Sequence, residues 1–309
     1  MKTTDERIRT YLSNLRSEFK GADKATVQDA LADAEEHLRT ALAAEKENRD
    51  QVSEEELLAE IIQEYGPPGE VAEAYKTWEQ AQTPALARPA APSAERTAPA
   101  RPGKNYPGFF GVYADPRAWG GLVFMLISLV TGTLYFSWAT AGLSTSLGLM
   151  ITIIGIPVTI LFLLSVRGLV FLEGRLVEAL LGERMPRRPA FTDPNQGWIE
   201  RLKQLLLGKS TWLGLLYMGL MLPLGVVYFT LMVTLLSVGL ALVATPILVI
   251  VFNVPVTTVS DGAVLWQLPE YLTPLVAVVG ALLTTVTLHL ARWVGWAHGR
   301  FAKALLVSE

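Results

Sequence analysis

The sequence contains no cysteine. Disulfide bonds and thiolate sites for metal or redox chemistry are therefore excluded. Residues 1–104 also lack a long apolar run and are rich in charge, so we expect no cleavable signal peptide. The stability of the fold must come from packing and non-covalent contacts.

Charge is the second scarce feature, and its absence is local. Charged residues make up 18% of the chain, against roughly 25% in a typical soluble protein. No Asp, Glu, Lys or Arg occurs in residues 118–166, 210–260 or 271–291. About 20 consecutive apolar residues suffice for a helix to cross a bilayer. These runs predict an all-α, polytopic membrane protein that carries a small N-terminal helical domain.

Within the apolar region one pattern is written twice. Five landmarks recur 93 residues later, and a second set recurs 125 residues later with its internal spacing kept. Such self-similarity predicts a duplicated unit with an insertion in its second copy. The first set pairs Trp119, Phe124, Gly132, Tyr135 and Phe136 with Trp212, Tyr217, Gly225, Tyr228 and Phe229. The second pairs Arg167, Gly174 and Arg175 with Arg292, Gly299 and Arg300.

Residues 1–81 have the periodicity of four short amphipathic helices. Apolar residues from Ile8 to Phe19 lie at helical spacing, and a second stripe follows within residues 25–46. Ser53 and Glu56 form a capping box before the third helix, and Gly66 with the following prolines ends it. A fourth helix is expected over residues 69–80. These elements predict a small domain of four helices.

This N-terminal segment resembles the bacterial HAAS domain, a helical signalling module. The resemblance rests on Glu35-Glu36-His37, Ser53-Glu54-Glu55-Glu56, Tyr65-Gly66-Pro67-Pro68 and Val71-Ala72. Members usually read Leu-Pro where this chain has Phe19-Lys20-Gly21. The resemblance implies a cytoplasmic regulator protein as partner, often a PadR-type transcriptional regulator. It gives as candidate partner surface Glu35, Glu36, His37, Tyr65 and Pro67.

Residues 82–114 predict an extended linker rich in Pro, Ala and Arg, followed by a juxtamembrane anchor. Spans are predicted over residues 119–140 and 147–171, and two more after residue 208. Lys and Arg flank the spans on the linker side, in the central loop and at the C-terminus, so both termini are expected in the cytoplasm. The long run at 212–256 leaves open either two extra crossings or a re-entrant piece at Gly239–Phe252; we favour the re-entrant piece.

Residues 115–306, with halves at about 115–190 and 208–306, resemble the bacterial "putative sensor" membrane domain, which often precedes a histidine kinase. The resemblance rests on Gly132, Tyr135-Phe136, Gly142-Leu143-Ser144, Gly148, Gly155-Ile156-Pro157, Arg167, Glu173, Arg175, Leu180-Leu181-Gly182 and Pro186. It implies sensing at the inner membrane. The candidate transmembrane core or signal relay is Gly132, Tyr135, Phe136, Gly155, Pro157, Arg167, Glu173, Arg175, Gly225, Tyr228, Phe229, Arg292 and Arg300.

Catalytic chemistry finds little support in the sequence. There is no phosphate-binding glycine loop and no evident nucleophile with its base, so we expect neither an enzyme nor a cofactor. Asp29, Asp33 and His37 share a helix face and can be interpreted as a divalent-metal site or as a solvated face; we favour the solvated face. No ionisable residue is expected to be buried in a span, which argues against ion-coupled transport.

The segment from Asn253 to Tyr271 carries acidic but no basic residues, which predicts an outer location. Asp261, Trp266 and Glu270 are candidates for an outer lid; the alternative is that the aromatic residues only anchor the chain at the interface. We therefore expect a membrane sensor or regulator that acts on a cytoplasmic partner. A membrane scaffold and a lipid or small-molecule transporter remain alternatives, and a homo-oligomer is left open.

Overall fold

The N-terminal domain is a bundle of four helices. The computed structural model describes residues 4–49, 51–81, 86, 108–188, 203, 205–260 and 263–307. The helices of the bundle are α1 (Thr4–Glu18), α2 (Lys24–Asn48), α3 (Glu54–Tyr65) and α4 (Pro68–Ala81). The last three lie within one or two residues of the predicted bounds, and α1 begins four residues before the predicted apolar stripe. Most of the predicted linker lies outside the described residues.

Local signals set the ends of these helices. Ser53 Oγ accepts the Glu56 N–H at 3.3 Å, as the capping box predicts. Gly66 has φ = 105°, a left-handed value that glycine adopts at little cost, and it ends α3. The Tyr11 hydroxyl donates to the Gly66 carbonyl at 2.8 Å and ties this turn to α1.

The bundle core follows the predicted stripes with two exceptions, both on α4. Ile8, Tyr11 and Leu15 of α1 are buried against residues of α2, α3 and α4. The periodicity places Ala74 and Trp78 on the buried side of α4, but both are exposed, so these two assignments are wrong. Ala72 is fully buried instead, because a small side chain allows α4 to pack closely on the bundle.

Four further helices are long and apolar enough to cross a membrane, and they make the chain a multi-pass helical membrane protein. They are α5 (Pro116–Leu149), α6 (Gly155–Leu181), α7 (Lys209–Pro246) and α8 (Thr273–Leu306). Helix α5 extends beyond its predicted span at both ends. Helix α6 begins at Gly155, eight residues after the predicted start of its span, because residues 147–149 still belong to α5. A short 3-10 helix, Phe109–Ala114, precedes α5.

The predicted re-entrant piece at Gly239–Phe252 is wrong. Helix α7 runs through Gly239 and continues as a π-helical turn, Ile247–Val251, so that 43 residues form one helical segment. Gly239 faces Thr284 of α8, and a Cβ atom there would lie within 2.6 Å of the threonine hydroxyl. This glycine therefore allows close helix packing in the way small residues do in membranes, and it does not break the helix.

The segment after α7 contains a two-stranded antiparallel sheet that the periodicity did not predict. Strands β1 (Thr257–Ser260) and β2 (Ala263–Gln267) pair Thr257 with Gln267 and Thr258 with Trp266. The register shifts between Thr258 and Val259. Strands this short show little alternation of apolar and polar residues, so the sequence pattern predicts a loop here. A 3-10 turn, Glu270–Leu272, then leads into α8.

The chain forms two compact units that cut across its helices. The first unit joins the N-terminal bundle to the end of α5, all of α6, the start of α7 up to Tyr217 and the end of α8 from Gly299. The second unit contains α5 up to Trp138, α7 from Met218 and α8 up to His298. The N-terminal bundle is thus packed on membrane helices.

In the second unit, α5 and α7 cross at the two glycines of the repeat. A Cβ atom on Gly132 would overlap the Met221 carbonyl, and one on Gly225 would overlap the Ser128 carbonyl. Met221 lies 93 residues after Ser128, as Gly225 does after Gly132. The crossing therefore places equivalent residues of the two copies in reciprocal contact, and it needs a hydrogen at both glycine positions.

Candidate functional site

Asp29, on α2, is the centre of the most connected polar site in the described part of the chain. Its side chain is only 10% exposed. One carboxylate oxygen accepts the Arg184 guanidinium at 2.7 Å. The other accepts the backbone N–H groups of Arg187 and Arg188, each at 2.9 Å. A buried carboxylate is tolerated when it is paired and hydrogen-bonded in this way.

Arg184 supplies the buried positive charge of this site and is 7% exposed. Its Nε binds Glu79 of α4, and its terminal nitrogens bind Asp29 and lie 3.9 Å from Glu178 of α6. Burial lowers the pKa of this guanidinium, but the hydrogen bond that it donates to Glu79 and the charges of Glu79 and Asp29 outweigh burial and raise the pKa. One side chain thus joins two helices of the bundle to α6.

These arginines belong to residues 183–188, which we call the clasp. Helix α6 ends at Gly182, whose φ of 71° turns the chain away from the helix axis. Arg175 then holds the clasp backbone, donating to the carbonyls of Met185 at 3.0 Å and Pro186 at 2.8 Å. The chain direction after α6 is therefore fixed by a glycine cap and by an arginine about two turns earlier.

The clasp also touches both copies of the repeat. Met185 is buried against Gly174 of α6, and Glu183 lies against Gly299 of α8. Gly174 and Gly299 are equivalent positions of the repeat. The same short segment therefore fills the space left by both glycines and then reaches the N-terminal bundle.

The outer part of the clasp binds a row of carboxylates. Arg187 reaches back to Glu178 at 3.0 Å. Arg188 binds Asp33, and it contacts Glu36 at 3.1 Å. The Tyr75 hydroxyl also donates to Asp33, and burial together with this hydrogen bond raises the pKa of Tyr75. Arg188 is 51% exposed, so its pairs are weaker than those of Arg184.

A second, smaller attachment lies at the end of α8. Lys303 binds Asp23, the residue that caps the N-terminus of α2, and lies 3.8 Å from Glu183 of the clasp. Helix α2 is thus held both from the α6 side and from the α8 side. A displacement of either helix end would act on α2 through charged contacts.

Comparison with protein-family models gives two matches. The model described as "Putative sensor" matches residues 124–306, more than half of the chain. The chain belongs to the "Putative sensor" family. The HAAS model matches residues 10–74, so the N-terminal bundle is a HAAS domain. Both resemblances read from the sequence are confirmed, and the fusion of the two domains fits a signalling or sensing role. No curated protein and no solved structure matches the chain.

The structure divides the predicted partner surface of the HAAS domain. Glu35 pairs with Arg39 on its own helix at 3.1 Å, and Glu36 binds Arg188 of the clasp. His37 stacks on the ring of Tyr65 with centroids 4.7 Å apart, and Pro67 is exposed. Part of the predicted surface is therefore occupied by the chain's own clasp.

The face formed by Asp29, Asp33 and His37 is only partly solvated. The two carboxylates bind clasp arginines, whereas His37 stacks on Tyr65 and stays exposed. Among the described residues no group of three or more His, Asp or Glu is placed to hold a metal ion. The favoured interpretation as a solvated face is therefore wrong for Asp29, because Arg184, 155 positions away, covers it.

Two buried ionisable residues in the sensor domain correct a second expectation. Glu173 of α6 is 1% exposed and accepts the Tyr217 hydroxyl at 2.8 Å. His298 of α8 is also 1% exposed; its Nδ1 lies 3.3 Å from the Tyr228 hydroxyl, and its ring packs on Phe124. The statement that no ionisable residue is buried in a span is therefore wrong. Hydropathy alone cannot distinguish Glu173 and His298 from the charged residues that flank a span, since both lie near charged helix ends.

The remaining relay candidates are not one cluster. Tyr135 is buried, Phe229 and Arg167 are half-buried, and Phe136, Pro157 and Arg300 are exposed. Gly155 lies against the Leu149 carbonyl in the α5–α6 turn. Arg292 binds Asp115 at 3.1 Å, and Asp115 also caps α5 by accepting the Arg117 N–H at 3.0 Å.

Of the predicted outer lid, Asp261 lies outside the described residues. Trp266 and Glu270 are exposed. No sequence pattern identifies Asp29, Glu79 and Arg184 as members of this site. The arginines that follow the helix-ending Gly182 are a local signal. The carboxylates that bind them lie in another domain, however, so no local pattern can point to the pairs.

Proposed function

We propose that the chain is a non-enzymatic sensor of the inner membrane that regulates a cytoplasmic partner through its HAAS domain. The partner we propose is a DNA-binding regulator of the PadR type. The observation that carries this proposal is the clasp, which touches Gly174, Gly299 and Asp29. One segment thereby contacts both copies of the sensor domain and the buried centre of the HAAS surface.

The mechanism follows from these contacts. A signal that changes the packing of α6 against the end of α8 alters the space at Gly174 and Gly299. Met185 and Glu183 must then move, and because they are covalently continuous with Arg184 the pair with Asp29 is strained or broken. Tightly packed contacts with discrete arrangements are the kind of element that couples distant sites.

A lipid or small-molecule transporter is the second candidate, favoured by Glu173. A carboxyl group buried inside a membrane helix is costly and is by default a functional site. Sensing and transport differ in what substitution of Glu173 does. Glu173→Gln would abolish substrate movement in a transporter, whereas in a sensor it would change partner regulation without any flux.

Two experiments test the proposed function. Because the chain lacks cysteine, Ser17→Cys and Thr152→Cys each give a unique thiol for a membrane-impermeant maleimide. We expect intact cells to be labelled at residue 152, in the α5–α6 turn, and not at residue 17, in α1. Labelling at residue 17 would contradict a cytoplasmic HAAS domain.

The partner is tested by proximity labelling from an N-terminal biotin ligase on the full chain in its native cells. The control carries the same ligase on residues 82–309. We expect a DNA-binding regulator among the proteins labelled only by the full chain. If both chains label the same membrane proteins, the regulator proposal fails and a scaffold becomes the better description.

A further inference from the structure

The HAAS domain presents a row of carboxylates to the clasp. Asp29, Asp33 and Glu36 follow one another at spacings of four and three residues, so they lie on one face of α2. Glu79 of α4 extends the row sideways. We call these four residues the acidic face. All four carboxylates bind an arginine of the clasp.

The acidic face binds the backbone of the clasp as well as its side chains, at a bend formed by Arg187 and Arg188. Asp29 accepts two consecutive backbone N–H groups, from Arg187 and Arg188, in addition to the Arg184 guanidinium. Contacts to backbone amides position a segment, while carboxylate pairs select arginine at defined places. The acidic face can therefore recognise both the backbone conformation of a bound segment and the positions of its arginine side chains.

We propose that the acidic face is a binding site for a bent, arginine-bearing protein segment, and that the clasp occupies it in competition with the partner. This inference rests on the proposed function for the existence of a partner. The partner presents a segment of the same chemistry as residues 184–188. Its binding requires the clasp to leave, so the docked state is the partner-free state.

Tethering explains why the clasp excludes a partner at rest. The clasp follows α6 directly, and a short tether gives a segment an effective concentration on the order of mM at its site. A partner at micromolar concentration with the same contacts is therefore displaced. A change at Gly174 or Gly299 that weakens clasp binding increases the fraction of molecules whose acidic face is free of the clasp. The partner then binds this fraction and shifts the equilibrium further toward it.

Charge makes this exchange reversible. Apart from Met185, the clasp contacts are polar, so an open face exposes hydrated carboxylates and little apolar surface. The pairs of Arg188 with Asp33 and Glu36 are half-exposed and are screened by salt. The clasp can thus leave without unfolding α6 or the HAAS domain.

The test measures binding of a fluorescent peptide with the sequence of residues 183–188 to the full chain in lipid nanodiscs. Arg184→Glu places a carboxylate among Asp29, Glu79 and Glu178 and expels the clasp. We expect it to raise the apparent peptide affinity over the wild-type chain by about five- to 150-fold, the usual range of coupling between sites. Arg49→Glu is the matched control, because it makes the same charge change on an exposed residue of the HAAS domain.

A second variant identifies where the peptide binds. Adding Asp29→Asn to Arg184→Glu should return peptide binding to the wild-type level, because the centre of the acidic face is lost. Arg184→Gln, which removes the charge without reversing it, should raise affinity by a smaller factor and covers the case in which Arg184→Glu does not fold. Thermal unfolding of each variant shows which ones are folded.

Equal peptide binding by the wild-type chain, Arg184→Glu and Arg184→Gln would overturn the proposal, as would binding that survives Asp29→Asn. These outcomes are separate from the proposed regulator. Peptide binding as expected, with no DNA-binding protein found by proximity labelling, would sustain the acidic face and reject the PadR-type partner. The reverse result would sustain the partner and reject this site.

Discussion

The ends of α6 and α8 occupy equivalent positions of the repeat, yet they hold the HAAS domain in different ways. Glycine is kept at both positions, as Gly174 and Gly299, and each accommodates a side chain of the clasp. One turn later the charge is reversed, since Glu178 in α6 corresponds to Lys303 in α8. The first copy contributes a buried network of arginines and carboxylates. The second contributes Lys303, which pairs with Asp23 and Glu183.

The two copies therefore keep the same glycine packing positions but differ in the charged residues that hold the HAAS domain. Glycines set the distance between helices, and a change at either of them is felt by the clasp whichever copy it occurs in. Charge then decides the strength of each attachment. A pair whose members are buried depends strongly on both, whereas an exposed pair contributes little. The α6 side is the strong attachment and the α8 side the weak one.

The largest expected effect separates these two attachments. Asp29→Asn removes the negative charge opposite Arg184. It also brings an amide N–H donor close to the three donors that Asp29 accepts, which are the Arg184 guanidinium and the backbone N–H groups of Arg187 and Arg188. Loss of one partner of a buried pair costs about 3–5 kcal/mol, so hydrogen exchange at the Arg187 and Arg188 amides should accelerate by on the order of 100-fold or more.

Asp23→Asn is the matched variant on the α8 side. Asparagine still caps α2, and the pair lost with Lys303 involves an Asp23 side chain that is 39% exposed. We expect exchange at the same two amides to change by less than about fivefold, the equivalent of about 1 kcal/mol. Equal effects of the two substitutions would mean that the two copies hold the HAAS domain equally.

The next prediction concerns a place where the two copies should be equal. Gly132→Ala and Gly225→Ala each force a methyl group against a backbone carbonyl of the other helix. Overpacking of this kind costs about 1–3 kcal/mol, and a carbonyl cannot rotate away. Both variants should lower the thermal unfolding temperature of the full chain in detergent by similar amounts.

Each glycine has a control on its own helix. Gly148 of α5 and Gly219 of α7 have open space where a Cβ atom would be added. Alanine at these positions should leave the unfolding temperature unchanged or raise it slightly, because alanine restricts the unfolded chain. A large drop for Gly132→Ala with none for Gly225→Ala would show that the crossing is not reciprocal.

The buried polar residues differ between the copies in a measurable way. Tyr217→Phe removes the 2.8 Å hydrogen bond to Glu173, and Tyr228→Phe removes the longer, 3.3 Å bond to His298. A side-chain hydrogen bond contributes about 0.5–1.5 kcal/mol, and the shorter bond should contribute more. Thermal unfolding should therefore rank Tyr217→Phe as the more destabilising variant; the opposite order would place the stronger polar contact in the second copy.

Sequence patterns predicted what is local and failed where distant residues decide. Periodicity and caps predict the bounds of α2, α3 and α4 within one or two residues, because signals such as Ser53 and Gly66 act on their own helix ends. Gly239 was interpreted as a helix break, since its packing partner Thr284 lies in another helix. The sequence could not relate Asp29 to Arg184, which lies 155 residues away. The strands β1 and β2 were missed because they are too short for alternation to be read.

The smallest expected effect tests the first landmark of the repeat. The Trp119 indole donates to the Tyr113 carbonyl at 2.9 Å, and the Trp212 indole donates to the Leu206 carbonyl at 2.8 Å. Both bonds span six residues and fix the chain that enters a membrane helix. Trp119→Phe and Trp212→Phe keep an aromatic ring and lose the donor, so each should cost about 0.5–1.5 kcal/mol. Hydrogen exchange in the first turn of α5 and of α7 should rise by similar factors. A response in only one helix would show that the duplicated tryptophan has kept its anchoring role in a single copy.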